Sequence, residues 1–129
     1  MMLALVLEER HTEAIVSLMD RWIDEGIELH APLFAKYEVT NVLTGKRSRE
    51  EITAAKVDTA LTAIESLVVI FDVTPDNARV LEIALDLQRH KAYDIFYVEL
   101  AERLDAELWT LDKRLARNAG DRYPVNLVE

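Results

Sequence analysis

The chain has 129 residues, which fits one domain, and half of them are hydrophobic, enough for a real core. It contains no cysteine, which excludes a disulfide framework and a thiolate zinc site; its net charge of −9 argues against a surface-wide nucleic-acid footprint but leaves room for a small basic rim around an acidic site. The longest apolar run, Met1–Leu7, is too short to span a membrane and has no basic leader, so no membrane segment is expected and a cytoplasmic protein is.

Met1–Glu9 (MMLALVLEE) starts apolar and fits either helix or strand. Thr12 can cap a helix over residues 13–25, with Ile15, Leu18, Met19, Trp22 and Ile23 facing the core and Gly26 as its stop. Ile27–Ala31 reads as a short strand. Pro32 is placed to open a helix, where its missing N–H is harmless. In that helix Leu33, Phe34, Tyr37 and Val42 define an apolar arc, and Glu38 and Asn41 lie inside it one turn apart, polar residues on a face expected to be buried. The plainer explanation is that Asn41 bonds Glu38 or the backbone. Gly45 is expected to end the helix, KRSR (Lys46–Arg49) to form a basic loop, and Ser48 with Glu51 to make a capping box for a helix reaching about Ser66. Ile52, Ala55, Leu61, Ile64 and Leu67 are its candidate core residues.

The almost unbroken apolar run LVVIFDV (Leu67–Val73) predicts a strand covered on both faces. Thr74-Pro75 then reads as a cap and first-turn proline for a helix to about Arg89, with Ala78, Leu81 and Leu85 as its core stripe. His90 is read as a loop residue rather than a ligand.

The stretch Ala92–Leu115 is the most informative. A helix over 94–104 would place Ile95, Phe96, Tyr97, Val98, Leu100, Ala101 and Leu104 on a wide apolar arc, with Glu99, Glu102 and Arg103 solvated opposite. Asp94 falls at the middle of the apolar arc, where a carboxylate needs a partner. That helix rises about 15–17 Å at about 1.5 Å per residue. After a turn at Asp105-Ala106, a strand over 107–111 returns about 16 Å at about 3.3 Å per residue. Asp94 and Asp112 should therefore lie at one level, on the carboxyl edge of the strands where α/β folds bind ligands. Two carboxylates there suggest a divalent metal or acid–base chemistry. Taken singly, Asp94 also fits a helix-start carboxylate favoured by the macrodipole, and Asp112 a cap for a short basic helix over 113–118 that Gly120 ends. Val125–Val128 is a possible edge strand. Strands separated by helical patterns give an α/β domain with a mainly parallel sheet.

Three segments carry a family resemblance. YEVTNVL (Tyr37–Leu43) has a glutamate followed by asparagine on a helix, AYDIFYVELAERL (Ala92–Leu104) resembles a YDA-x-Y-x-x-LA helix, and LWTLDKRL (Leu108–Leu115) resembles a strand ending in T-x-D. In this order and spacing they resemble the PIN domain over nearly the whole chain, 1–129, and within it the VapC-like toxins of toxin–antitoxin pairs. The resemblance implies a three-layer fold with helices on both faces of the sheet and a Mg²⁺- or Mn²⁺-dependent ribonuclease. It implies RNA as substrate, a cognate antitoxin as partner and a homodimer. Glu38, Asp94 and Asp112 match catalytic and metal-binding acids, and Asn41 and Thr110 match accessory polar positions. Lys46, Arg47, Lys113 and Arg114 are candidates to hold RNA phosphates, the commoner explanation being a solvated surface. The family's fourth acid belongs to a central N-terminal strand that this sequence lacks, which implies impaired cleavage. The alternative function is a non-catalytic PIN-like module that keeps antitoxin or dimer contacts.

Overall fold

The computed structural model describes residues 12–128. The Met1–Glu9 segment, open above between helix and strand, lies outside them. The described elements are α1 (Thr12–Asp24), β1 (Leu29–Pro32), α2 (Ala35–Ser48), α3 (Ala54–Glu65), β2 (Val69–Asp72), α4 (Asn77–Asp86), α5 (Tyr93–Arg103), β3 (Leu108–Thr110), α6 (Lys113–Ala119) and β4 (Val125–Leu127). Helices alternating with short strands make this an α/β fold. The described strands form two separate pairs, β1 with β2 and β3 with β4, rather than one sheet. β3 and β4 run parallel, with Leu108 opposite Val125 and Thr110 opposite Leu127. The residues divide into two compact units, the first ending at Ile70 and the second beginning at Phe71.

In the first unit α1 buries Met19 and Trp22, whereas Ile23, expected inside, is 60% exposed. Pro32 closes β1 instead of opening a helix; a proline at a strand end withholds no ladder bond that matters. α2 follows after Phe34 and buries Ala35, Val39 and Leu43, so the apolar arc is rotated from the expected one and Tyr37 is exposed. Gly45 does not stop α2. The helix runs on to Ser48 with Lys46 and Arg47 in its last turn, where positive charge suits the carbonyl end. Ser48 donates its hydroxyl to the Gly45 carbonyl and caps nothing; Thr53 is the cap of α3, accepting from the Lys56 N–H. None of the expected core residues of α3 is fully buried.

One device ends four of the helices. At Gly26, Glu50, Gln88 and Asp105 the backbone turns left-handed, with φ of 70°, 58°, 54° and 50°. Each time the next residue's N–H reaches back five residues, as in Ile27 to Trp22 and Arg89 to Ala84. Only the first of the four is glycine; the turn at Asp105-Ala106 is also expected from the sequence, whereas Glu50 and Gln88 are not marked as stops.

The second unit is built on α4 and α5. Asp76, not Thr74, caps α4, accepting from the Arg79 N–H. The buried stripe is Val80, Ile83, Ala84 and Leu87, while Leu81 and Leu85, expected inside, are 59% and 68% exposed. That stripe packs with Ile95 and Val98 of α5 and Leu115 of α6, and Leu108, Tyr123 and Val125 lie against it. Val73 and Ile70, from the run expected to be covered on both faces, are 65% and 45% exposed.

Glu99 departs furthest from expectation. It is 2% exposed, not solvated. Arg103, one turn on, donates Nε to Glu99 Oε1 at 2.6 Å and both Nη groups to Asp72 at 3.1 and 2.8 Å. Charge enters the interior here because it enters already paired. Arg79 makes a similar two-pronged contact with Glu102 at 2.7 and 2.9 Å. That contact holds the Glu102 carboxyl below the usual carboxylate range.

Candidate metal and active site

The site is assembled at the ends of α4, α5 and β3. Asp94 stands in the first turn of α5, which has no side-chain cap, so its carboxylate sits at the positive end of the helix. Its side chain is 53% exposed, not inside the apolar arc. The arc begins a residue later, at Ile95.

Asp112 follows β3. The Asp112 N–H donates to Thr110 Oγ1 at 3.0 Å, so the threonine fixes the bend that carries the aspartate. Asp112 Oδ1 accepts the Leu115 N–H at 2.9 Å and caps α6. The capping role expected for Asp112 is real, and it occupies only one of the two oxygens. The other, Oδ2, faces Arg89 Nη2 at 4.0 Å. Arg89 Nη1 lies 3.8 Å from Asp94 Oδ2. One guanidinium thus reaches both carboxylates, and Asp94 and Asp112 are gathered at one point, as the helix-and-return geometry predicts.

Arg89 is the residue that sequence inspection missed. Its signal was faint, a basic residue in the loop before the YD helix. The contact from Arg122 and Tyr123 to Asp86, at 2.9 and 2.6 Å, ties the segment after α6 to α4 three residues before Arg89. The Tyr123 hydrogen bond lowers the Asp86 carboxyl and raises the Tyr123 phenol.

The remaining candidates are dispersed. Glu38 lies half-buried in the first turn of α2, and Asn41, one turn later, is exposed rather than inside a buried arc. Both belong to the first unit. Lys46 and Arg47 form the last turn of α2 rather than a loop. Close by, Arg49 is bonded to Glu51, so the charge of this basic run is partly met within it. Lys113 and Arg114 open α6 directly after Asp112 and are exposed. Within the second unit no third acidic, histidine or cysteine side chain joins Asp94 and Asp112 in a metal-holding group among the described residues. No described helix is long and apolar enough to cross a membrane.

The PIN domain profile matches residues 1–121. The chain belongs to the PIN domain family. No curated protein and no solved structure matched it significantly. PIN domains are generally nucleases, often toxins, and generally use Mg²⁺ or Mn²⁺. The Asp94–Asp112 pair fits such an ion: both oxygens already face a cation, both side chains are reachable from solvent, and Mg²⁺ commonly takes one or two carboxylates and keeps its other positions for water and phosphate.

Proposed function

We propose that this PIN domain is a metal-dependent endoribonuclease of the toxin type, cytoplasmic, dimeric and held in check by a cognate antitoxin. The observation that carries the reading is the meeting of Asp94 and Asp112 on one guanidinium, at the two family motifs that hold the acids. Asp94 and Asp112 Oδ2 would hold the ion, and Glu38 is a further candidate acid by its match to the family motif. When bound, the ion supplies the positive charge that activates water and steadies the leaving oxygen of a phosphodiester. Thr110 keeps Asp112 in place through the Asp112 N–H. Asn41 acts beside Glu38, and Lys113, Arg114, Lys46 and Arg47 take RNA phosphates, Lys as point charges and Arg through its fork.

The finer architecture is part of the same proposal. We read it as the family's three-layer arrangement, with helices on both faces of the sheet, and the alternation of helices with short strands supports that reading.

A second reading, the non-catalytic binding module, is favoured by one observation. Arg89 already meets the two carboxylates with positive charge, as a site that had given up its metal would. Cleavage of a fluorescent single-stranded RNA by the full chain, with Mn²⁺ and with EDTA, separates the two. The nuclease reading expects Mn²⁺-dependent cleavage that Asp94→Asn and Asp112→Asn each abolish. Cleavage that survives both substitutions, or none at any Mn²⁺ concentration, rejects it.

A further inference from the structure

We infer that Arg89 is a resident counter-cation of the Asp94–Asp112 pair, one that weakens the site's hold on divalent metal. The inference rests on the reading of that pair as the metal site. Arg89 is placed by the backbone and not by its own bonds. The left-handed Gln88 ends α4, and the Arg89 N–H is fixed to the Ala84 carbonyl at 2.9 Å, so the side chain must leave at the start of α5. That side chain is 15% exposed. Its Nε and Nη2 are buried without a hydrogen-bond partner. Buried donors on a charged group are ordinarily satisfied, and an exception calls for an explanation.

The explanation is charge. Nη1 is 3.8 Å from Asp94 and Nη2 is 4.0 Å from Asp112, distances too long for hydrogen bonds but within ion-pair range. The guanidinium is therefore shared between the two carboxylates and bonded to neither. Without it two like charges would face each other across a small gap. With it, a divalent ion drawn to the same oxygens meets a positive charge that has no second anion to turn to within the pair. Like-charge repulsion at this separation, in surroundings open to water on the carboxylate side, weakens ion binding by about tenfold.

Isothermal titration of the full chain with Mn²⁺ alone tests this. Arg89→Gln is expected to bind Mn²⁺ about tenfold tighter than the natural chain. Arg89→Lys, which keeps a charge, should stay within about threefold of it. Adding Asp94→Asn to Arg89→Gln should remove the gain. Far-UV circular dichroism checks the fold, and Arg89→Met, which keeps the stem packed, serves if the amide does not fold. Unchanged or weaker Mn²⁺ binding in the folded charge-free variant, with the binding still sensitive to Asp94→Asn, overturns the counter-cation and leaves the metal site standing. Binding insensitive to Asp94→Asn in every variant overturns both.

Discussion

Replacing Arg103 by leucine should be among the most damaging single changes in the second unit. Arg103 is the partner of Glu99, which is 2% exposed, and of Asp72, which is 17% exposed, and its loss leaves both carboxylates without that cation. Removing one partner of a buried pair costs about 3–5 kcal/mol, because the remaining charge stays in the interior unpaired. A third of the Arg103 side chain reaches solvent, so water can enter where the guanidinium stood. The lower end applies, about 3 kcal/mol. With a urea slope of about 2 kcal/mol per molar for a chain of this size, the midpoint falls by about 1.5 M at unchanged slope. Urea unfolding followed by circular dichroism reads it directly. The double variant Arg103→Leu/Glu99→Gln, which removes the stranded charge, should recover part of the loss. A single variant within about 0.5 kcal/mol of the natural chain, or a double variant no better than the single, would refute the view that this pair is held by mutual neutralisation.

Asp112 has two separable duties. Asp112→Ala should lose the α6 cap, about 1 kcal/mol, whereas Asp112→Ser should keep most of it, and both should abolish RNA cleavage; a serine variant that cleaves normally sinks the metal role. The phase of α4 is checked by a contrast: Ile83→Ala, at 0% exposure, should cost about 3–4 kcal/mol, and Leu85→Ala, at 68%, less than about 1, in the same urea experiment. Stability should also fall at both extremes of pH. The lowered Asp86 and Glu102 carboxyls contribute above the ordinary carboxylate range, and that contribution is lost as pH falls below about 4. The raised Tyr123 phenol contributes below its ordinary value, and that is lost as pH climbs beyond about 10. Tyr123→Phe should flatten the alkaline limb and soften the acid one in melting temperatures taken across pH; an unchanged profile would show that the Tyr123–Asp86 contact is not formed in solution.

The sequence by itself determined the local and the additive. The alternation of helices and strands followed from hydrophobic period and from stop residues. The return from Asp94 to Asp112 followed from rise per residue, which depends on element type and length alone and tolerates a shift of one residue at either end. The Asp112 cap was legible because a cap is a contact between residues three apart. Tertiary structure decided what depends on neighbours distant in the chain. It chose which of two overlapping apolar stripes of α4 faced inward, since Leu81 and Leu85 fit a helical period as well as Val80, Ile83 and Ala84 do. It buried Glu99, because Asp72 and Arg103, separated from each other by 31 positions, come together around it. It ended helices at Glu50 and Gln88, whose left-handed backbone no side chain announces. And it set Arg89 between two aspartates: charge is visible in a sequence, but the point where three charges meet exists only once the helix ends have been brought together.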